Sequence, residues 1–453
     1  MQVTVIGAGY VGLVTSASLA AIGHQVFCVD VLSDRVEMIN RGEVPFHEPG
    51  LAELIQDGIR SGRLHATTNL AKAICNSQIS MIAVGTPPQG EHIDLSYVAT
   101  AAQQIGQVLR YTDGYHVVVV KSTVVPGTTD TLVLRLLEEA SGLSAGEFGL
   151  CMNPEFLREG SAVADFMNPD RIAIGQWDER SGQVLMELYA AFDCPKLRTS
   201  LRNSELIKYA ANAFLATAIS YSNELARLCE AIPGTDVVTV MDGLHLDRRL
   251  SPVIDGQRVL PGILTYLGAG AGFGGSCLPK DVNALRSFAA LHQIQTPLLD
   301  AVMQVNEHRP QQVVNIAEQV LGTLQGRTIT VLGLAFKPGT DDLRDSPAIR
   351  IIKLLLNQGA KVRAYDPLAV SAANSLCDIT LYHQPEAALA GADAALIATA
   401  WPEFAQWDWA TLCHTMHQPV IIDGRNALSQ VCLPTKVIYR QIGRNYPEKV
   451  EKW

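Results

Sequence analysis

Short, continuous apolar runs alternate with helical patterns along most of the chain, an order that predicts an α/β fold. The runs lack the apolar–polar alternation of a half-exposed sheet, so we expect strands buried on both faces of parallel sheets. One long helical pattern separates a first series of runs from a second. The predicted strands are residues 2–6, 25–29, 79–84, 116–120, 148–152, 328–332, 361–365, 394–398 and 420–422.

The long helical pattern, at about residues 203–230, carries apolar residues on more than one side, among them Leu206, Phe214 and Leu225. An exposed linker would keep at most a narrow apolar stripe. We therefore expect this helix to join two Rossmann-like domains, to act as a hinge and to form the contact of a homodimer.

Three glycines follow the first predicted strand directly, at Gly7, Gly9 and Gly12. In a dinucleotide-binding fingerprint they permit the tight turn, the approach of the pyrophosphate and the close packing of helix on strand. Asp30 ends the second predicted strand, where a carboxylate accepts a hydrogen bond from the ribose. We expect NAD as the cofactor, although Arg35 could hold a 2′-phosphate. The predicted contacts here also include Tyr10 and Val11.

Polar loops follow the later strands of the first series. Ligands of such sheets bind beyond the carboxyl ends of the strands, so the loops with Thr86 and Pro87 and with Ser122 and Thr123 should border the cofactor. Glu155 lies in a proline-bounded loop after another predicted strand, a position that suits a general base.

Lys208 and Asn212 lie four residues apart on the predicted long helix and therefore point from one face. A cation and an amide side by side could stabilise a developing alkoxide. The alternative is a surface lysine beside an unrelated asparagine.

Cys277 ends a glycine-rich run, residues 272–276, and Pro279 follows at a predicted first helical position. Small residues let a substrate approach the backbone, and a helix N-terminus favours an ionised thiol. The alternative is a small buried hydrophobe, since the chain has nine cysteines. Lys280 and Asp281 beside it, together with the fingerprint, favour a catalytic nucleophile.

Loops after strands of the second series carry Lys337, Arg344 and Arg425, which would suit a diphosphate. As isolated charges they are equally typical of a solvated surface. The strand 361–365 is followed by Asp366, but this series lacks the full glycine triplet.

The 453-residue chain is long enough for two or three domains. Its net charge of −10 predicts no general affinity for nucleic acid or anionic membranes. We expect no signal peptide, because the first strand begins at residue 2, and no membrane span, because no apolar run is long enough. The scattered cysteines indicate free thiols in the cytoplasm. No metal site is predicted, since His414 and His417 have no third ligand nearby.

Together these motifs resemble the UDP-glucose 6-dehydrogenase family over almost the whole chain. The resemblance implies oxidation of the C6 alcohol of UDP-glucose, a nucleotide sugar, to an acid with two NAD and one water. We assign residues 1–200 to an NAD-binding domain, 201–310 to a central dimerisation region with the cysteine loop, and 311–453 to a UDP-sugar domain. The motifs are Gly7-x-Gly9-x-x-Gly12, Gly85-Thr86-Pro87, Ser122-Thr123-Val124, residues 153–160, Lys208-x-x-x-Asn212, residues 272–277 with Lys280-Asp281, and residues 333–337.

By resemblance, Cys277 captures an aldehyde as a thiohemiacetal, which is oxidised to a thioester and then hydrolysed. Lys208 and Asn212 would stabilise the oxyanions. Asp281 and Thr123 would hold the catalytic water.

The resemblance also implies that Glu155 is the base in hydrolysis. The further cofactor contacts are Ser122, Glu159, Cys277, Lys280 and Arg344. The substrate contacts are Glu155, Phe156, Leu157, Arg158, Lys208, Asn212, Tyr266, Phe273, Gly274, Phe336, Lys337 and Arg425.

Two positions depart from the family pattern. In the family, an arginine reaches the sugar nucleotide of the neighbouring subunit. Here that arginine is either Arg249 or Arg258, because the stretch between Arg249 and Gly272 is longer than the family leads us to expect. Leu278 stands where the UDP-glucose enzymes more often have phenylalanine, and the stretch Cys-Leu-Pro-Lys-Asp at residues 277–281 resembles GDP-mannose 6-dehydrogenases. Residues 158–162 and 169–172, by contrast, resemble the UDP-glucose branch. An enzyme acting on GDP-mannose or TDP-glucose is the alternative.

Two other classes share parts of the pattern. A 3-hydroxyacid dehydrogenase has the Rossmann start and the lysine–asparagine pair but transfers one hydride without a cysteine. A non-catalytic NAD sensor needs only the fingerprint. Cys277 and the second nucleotide-like domain argue against both.

Overall fold

The computed structural model describes residues 1–112, 114–376 and 378–446. The chain divides into two compact units, residues 1–211 with 283–292, and residues 212–282 with 293 to the end of the described chain. The three-part assignment at 1–200, 201–310 and 311–453 stays a prediction.

The first unit contains an eight-stranded sheet of order β10-β9-β8-β7-β4-β1-β2-β3 and a separate hairpin of β5 and β6. The strands are β1 (Gln2–Ile6), β2 (Gln25–Val29), β3 (Leu64–Thr67), β4 (Ile79–Ile82), β5 (Pro88–Gln89), β6 (His92–Ile93), β7 (Val117–Val120), β8 (Gly149–Met152), β9 (Ile172–Gln176) and β10 (Lys196–Ser200). The helices are α1 (Tyr10–Ala21), α2 (Ser33–Asn40), α3 (Leu51–Arg60), α4 (Leu70–Cys75), α5 (Ser96–Leu109), a π-helix (Thr128–Val133), α6 (Leu134–Ser141), α7 (Ala162–Met167) and α8 (Glu179–Leu188).

The central strands of this sheet are buried on both faces, as their continuous apolar runs predict. In β7, Val117 and Val119 belong to one apolar cluster, whereas Val118 and Val120 belong to another. Each cluster is completed by helices on its own side. Polar groups are therefore left to the strand ends, where the loops with predicted chemistry begin.

One edge of the sheet differs from the all-parallel prediction. β9 pairs with β8 in the antiparallel sense, with Cys151 opposite Gln176, and β10 runs parallel to β9. The remaining strands pair in parallel, so the carboxyl ends of β1, β2, β4, β7 and β8 share one edge.

The predicted long helix is α9 (Leu201–Ala231), which begins in the first unit and ends in the second. The elements that follow it are α10 (Val237–His245), a hairpin of β11 (Val253–Ile254) and β12 (Gln257–Arg258), a 3₁₀ helix (Gly262–Tyr266), α11 (Leu278–Leu291) and α12 (Pro297–Leu321).

The second unit contains a six-stranded parallel sheet of order β15-β14-β13-β16-β17-β18. Its elements are β13 (Thr328–Leu332), α13 (Pro347–Asn357), β14 (Lys361–Tyr365), β15 (Ile379–Tyr382), α14 (Pro385–Leu389), β16 (Ala394–Ile397), α15 (Trp409–Thr415), β17 (Val420–Asp423) and β18 (Ile438–Gln441), with 3₁₀ helices at Ala372–Ser375 and Pro402–Gln406. The predicted fold class, two Rossmann-like domains and a long central helix, is confirmed. In the described ranges, none of the helices combines the length and the apolar character needed to cross a bilayer.

Candidate active site

The glycine loop after β1 is shaped to hold a dinucleotide. Gly7 has φ +102°, and a Cβ atom there would lie 2.8 Å from the carbonyl oxygen of Ala83. A Cβ on Gly12 would lie 1.8 Å from the carbonyl oxygen of Gly7, so only glycine allows α1 this close to the strand. Around Gly9 nothing lies within 4 Å of the Cβ position, which leaves the backbone open at the helix N-terminus. These residues fit the pyrophosphate of NAD.

Asp30 lies buried just after β2 with both carboxylate oxygens held. Oδ2 accepts a hydrogen bond from the Ala8 amide at 2.8 Å and from Nη1 of Arg35 at 3.4 Å. Oδ1 accepts from the Leu32 amide at 3.0 Å. The carboxylate is thus oriented beside the glycine loop. Arg35, which suggested a 2′-phosphate, is paired with the very group that would repel one.

Tyr10, the first residue of α1, joins the glycine loop to the loop that carries Glu155. Its hydroxyl contacts Glu48, and the Gly160 amide donates to the hydroxyl at 3.0 Å and to Oε2 of Glu48 at 2.7 Å. Burial and the bond to Glu48 raise the pKa of Tyr10 well above its usual value, so the hydroxyl stays protonated. Val11 beside it is half-buried. Sequence reasoning missed Glu48, because its partners are far away along the chain.

The loops after β4 and β7 are adjacent, since these two strands pair. Oγ1 of Thr86 donates to the carbonyl oxygen of Thr123 at 3.0 Å. Oγ of Ser122 donates to the carbonyl oxygen of Val84 at 2.7 Å. With Pro87 in the first of these loops, the predicted cofactor residues of both loops lie at the edge of the sheet that carries the glycine loop.

Glu155 and Lys208 form a buried ion pair. Nζ of Lys208, on α9, is 2.8 Å from Oε1 of Glu155, and only 4% and 7% of the two side chains are exposed. Oε2 of Glu155 accepts from the Leu157 amide at 2.6 Å. Nζ of Lys208 also lies 5.7 Å from the ring centroid of Phe156. The loop after β8 is therefore folded around the lysine.

The ionisation of Glu155 follows from this pairing. Burial alone would raise the pKa of Glu155, but the charge and hydrogen bond of Lys208, the Leu157 amide and the charge of Lys121 bring it below the usual value. The carboxyl is ionised at neutral pH. It is a weak general base while Lys208 is paired with it, because efficient bases have a pKa near the working pH.

Arg158 and Glu159 end the same loop. Nη2 of Arg158 donates to Oδ1 of Asp165 at 2.6 Å, and Nε donates to Oδ2 at 3.1 Å. Arg158 thus fastens the loop to α7, and its contact with substrate stays a prediction. Glu159 is half-buried.

In the second unit, Cys277 is the residue directly before α11. Its carbonyl oxygen accepts a helical hydrogen bond from the Asp281 amide at 2.8 Å, and Pro279 is the second helical residue, one position later than predicted. The thiol is partly exposed, with Sγ 3.6 Å from Oγ of Ser276. A partly exposed thiol at a helix N-terminus has the setting of a reactive cysteine.

The glycine run before Cys277 is held in place by close contacts. The Phe273 amide donates to Oδ1 of Asn306 at 2.7 Å, and its carbonyl oxygen accepts from Nδ2 of Asn306 at 3.1 Å. Gly275 has φ +82°, and a Cβ there would lie 2.7 Å from the Phe336 ring. A larger residue at this position would displace the aromatic ring.

The loop after β13 lies against this run. The Gly275 amide donates to the carbonyl oxygen of Arg344 at 2.9 Å, and Nζ of Lys337 is 5.7 Å from the ring centroid of Phe336. The guanidinium of Arg344 pairs with Asp342, at 2.8 Å between Nη2 and Oδ2. The second unit thereby gathers several of the predicted substrate residues, namely Phe273, Gly274, Phe336 and Lys337.

Asp281, with 1% of its surface exposed, is held from two sides. Nδ2 of Asn212 donates to Oδ2 at 2.6 Å, and Nζ of Lys280 lies 2.5 Å from Oδ1. The structure thus groups the predicted catalytic residues in two sets. Glu155 pairs with Lys208 in the first unit, and Asn212 bonds Asp281 near the start of the Cys277 helix in the second.

Arg425, after β17, is turned inward. Its Nη1 donates to the carbonyl oxygen of Gly272 at 2.9 Å, and its Nε donates to that of Ala398 at 2.7 Å. Burial lowers the pKa of Arg425 to about 10, helped by the nearby Arg309, so it stays a cation at neutral pH. It braces the glycine run, and its contact with a diphosphate stays a prediction.

Asp366 has the place in the second sheet that Asp30 has in the first, but its oxygens are saturated. Oδ2 accepts from the amides of Leu334 and Ala335 and from Nε1 of Trp401, at 2.7, 3.1 and 3.2 Å. Oδ1 accepts two further amides at 2.9 and 2.8 Å. Because these five donors already bond its oxygens, Asp366 has no acceptor left for a ribose hydroxyl. The second sheet therefore lacks the carboxylate contact of an NAD site.

The two candidate arginines near the β11–β12 hairpin differ in their hydrogen-bond partners and in their exposure. Nη1 of Arg258 donates to the carbonyl oxygen and the hydroxyl of Ser251 at 2.9 and 2.7 Å. The side chain of Arg249 pairs with Asp247 and is 89% exposed. Arg258 is therefore held by hydrogen bonds to Ser251 of its own chain, whereas the side chain of Arg249 lies on the surface. Tyr266 ends the 3₁₀ helix and packs, half-buried, on a small apolar cluster.

Comparison with known proteins gives a consistent picture. Three domain models of the UDP-glucose/GDP-mannose dehydrogenase family match in order: the NAD binding domain at residues 1–193, the central domain at 202–308 and the UDP binding domain at 330–430. The UDP-glucose 6-dehydrogenase TuaD of Bacillus subtilis (strain 168) is 42% identical over 448 residues, which cover 98% of this chain and 93% of that protein. The GDP-mannose 6-dehydrogenase of Pseudomonas putida is 41% identical over 368 residues, 81% of each chain.

Among solved structures, a UDP-glucose dehydrogenase from the hyperthermophilic archaeon Pyrobaculum islandicum matches with a TM-score of 0.88. It is 40% identical, and the match covers 98% of this chain and 97% of that one. The similarity to these proteins thus covers the residues of both units. The match to an NAD binding domain confirms the predicted cofactor.

We expect NAD to be preferred over NADP, because a 2′-phosphate would meet the buried Asp30 carboxylate. Asp30→Asn keeps an acceptor for the Ala8 amide but removes the charge. It should narrow the difference in kcat/KM between the two cofactors by about tenfold or more, which corresponds to about 1.4 kcal/mol. Asp57→Asn, a change of an exposed carboxylate on α3, is the matched control. Equal kcat/KM with both cofactors in the unchanged enzyme would refute the assignment.

Proposed function

Because this chain belongs to the UDP-glucose/GDP-mannose dehydrogenase family, we propose that it oxidises the C6 alcohol of UDP-glucose to a carboxylate and releases UDP-glucuronate. The reaction removes four electrons and uses two NAD and one water. The proposal rests above all on Cys277, a partly exposed thiol directly before α11, at the end of a glycine run that packs closely against Asn306 and Phe336.

In the first oxidation, the C6 hydroxyl loses its proton and C6 loses a hydride. The chemistry that NAD would supply when bound is hydride acceptance, with one molecule needed for this step and a second molecule for the second oxidation. Lys208 supplies positive charge to the developing alkoxide, and Asn212, four residues further along α9, supplies an amide donor. Glu155 holds the ammonium of Lys208 ready for this task.

Cys277 then keeps the aldehyde bound. Its thiolate forms a C–S bond to C6, and protonation of the oxygen gives a thiohemiacetal. Loss of the hydroxyl proton and a second hydride gives a thioester. Water attacks the thioester carbon, the C–S bond breaks, and Cys277 leaves as a thiolate while the acid is released.

Hydrolysis needs a held water and a proton acceptor. We assign the water to Asp281 and Thr123, and the acceptor role to Glu155. Since Lys208 depresses the pKa of Glu155, the carboxylate gains basicity when the lysine turns toward the oxyanion. One buried ion pair would thus serve both halves of the reaction.

The nucleotide-sugar specificity rests on family membership and on the second unit. Lys337, Arg344 and Arg425 are proposed as the cations near the diphosphate. GDP-mannose is the second candidate substrate, because the chain is also 41% identical to a GDP-mannose 6-dehydrogenase. A panel of UDP-glucose, GDP-mannose and TDP-glucose distinguishes these candidates by kcat/KM.

We further propose that the enzyme is a homodimer built on α9. Phe214, Tyr221 and Leu228 are spaced seven residues apart on that helix and are 61%, 50% and 52% exposed. Seven residues are two helical turns, so the three form one apolar stripe that a second copy could cover. Arg249, rather than Arg258, is proposed to reach the nucleotide sugar of the neighbouring subunit.

A reducing compartment such as the cytoplasm would suit this enzyme. Within the parts of the chain that the structure describes, none of the eight cysteines forms a disulfide. Cys277 must remain a thiol to act as a nucleophile, and disulfides form mainly in oxidising compartments.

Cys277→Ser tests the covalent mechanism. A hydroxyl does not ionise near neutral pH, so formation of UDP-glucuronate should fall by roughly 1,000-fold or more, while NAD still binds. Cys75→Ser, which changes an exposed cysteine on α4, should be unaffected. In Glu155→Gln enzyme, where hydrolysis is slowed, mass spectrometry should find the sugar-nucleotide adduct on the Cys277 peptide. Acid formation by the serine variant at near the unchanged rate would contradict the mechanism.

Tyr221→Asp tests the dimer. A buried charge in the middle of the stripe should weaken association at least about tenfold, or about 1.4 kcal/mol, as measured by sedimentation equilibrium. Tyr111→Asp, a change of an 81% exposed tyrosine in the first unit, is the control and should leave association unchanged. A monomeric unchanged enzyme at micromolar concentration would overturn the proposal.

A further inference from the structure

Lys121 is a buried cation that the mechanism above does not use. It follows β7 directly and is 4% exposed. Its Nζ donates to Oδ1 of Asn153 at 3.1 Å and lies 5.9 Å from the ring centroid of Phe166. A lysine this deeply buried is uncommon unless its charge is paired.

Asn153 connects Lys121 to the Glu155 loop. Besides the bond from Lys121, its Oδ1 accepts from the Tyr189 hydroxyl at 2.6 Å, and its Nδ2 donates to the carbonyl oxygen of Ala173 at 2.8 Å. The side-chain amide is therefore held in one orientation. It lies two residues before Glu155, at the point where the chain leaves β8.

Three charges share this buried region. Lys121 and Lys208 are positive, and Glu155 is the anion that both of them stabilise. Burial and, less strongly, the charge of Lys208 lower the pKa of Lys121, and the charge of Glu155 raises it, so that the pKa of Lys121 is about 8. Asn153 and Phe166, which both contact Lys121, carry no charge.

The proposed reaction places conflicting demands on Lys208. It neutralises Glu155 in the resting enzyme but must turn to the alkoxide and oxyanion during turnover. Without a second cation nearby, a buried carboxylate that loses its paired lysine would take up a proton. A protonated Glu155 could neither accept a proton from water nor recover Lys208.

We propose that Lys121 is a positioning residue that keeps Glu155 ionised while Lys208 stabilises the reacting oxygen. The inference rests on the proposed function and adds a second, stationary cation to it. Asn153 fixes the distance of that cation from the loop, and the buried setting gives its charge a longer reach than it would have in water.

Four variants separate the effect of the Lys121 charge from the effect of its hydrogen bond to Asn153. Lys121→Gln can still donate to Asn153 but has no charge, and Lys121→Met loses both. Lys121→Arg keeps the charge. Tyr189→Phe removes the other hydrogen bond to the same Asn153 oxygen and leaves all charges in place, so it is the matched control.

For each variant, kcat for UDP-glucose oxidation is measured from pH 5 to 9. With Lys121→Gln and Lys121→Met, the acid limb of the kcat profile should move up by about one pH unit, so that kcat measured on that limb falls about tenfold, with a smaller change in KM. Lys121→Arg should retain most of the activity. Tyr189→Phe should keep the acid limb in place.

Two results would overturn the inference: an unmoved acid limb in Lys121→Gln, or an equal shift in Tyr189→Phe. If Lys121→Met does not fold, as judged by NAD binding, Lys121→Gln and Lys121→Arg still decide the question. Failure of the proposed function would look different, since the unchanged enzyme would then produce no uronic acid from UDP-glucose.

Discussion

The buried ion pair of Glu155 and Lys208 is the interaction on which the arrangement of the first unit depends. Its two side chains are 7% and 4% exposed, and removing one partner of such a pair costs about 3–5 kcal/mol. The loop after β8 and the start of α9 must therefore stay together. In the proposed mechanism the same lysine supplies positive charge to the developing alkoxide. Stability and the proposed chemistry thus place the same demand on these two residues.

The two sheets show how one local pattern leads to two different sites. Each has a glycine with positive φ after its first strand and an aspartate after its second, Asp30 or Asp366. Asp30 receives two amides and a neighbouring arginine, whereas Asp366 receives four amides and the Trp401 indole. The second aspartate is a structural brace for its own glycine loop. Its sheet can therefore specialise in a different ligand, as the match to a UDP binding domain indicates.

Much of this could be predicted from the sequence, because buried parallel strands and glycine turns leave strong local signals. β1, β2, β13 and β14 begin and end where their apolar runs do. β10, a half-polar edge strand, was missed because it lacks such a run, and the antiparallel pairing of β9 with β8 was missed because local sequence does not record strand direction. Glu48 and Lys121 were missed because their partners, Gly160 and Asn153, lie 112 and 32 residues away. Burial distinguishes these two charged residues from ordinary surface ones, and local sequence does not record it.

The central claim is that a single enzyme carries out both oxidations and holds the intermediate on Cys277 between them. The most direct measurement is the number of NADH formed for each UDP-glucose consumed, followed to completion with limiting sugar nucleotide and excess NAD. We expect two NADH and one UDP-glucuronate, with no free aldehyde captured by a hydrazine trap. One NADH per UDP-glucose, with the aldehyde released, would contradict it.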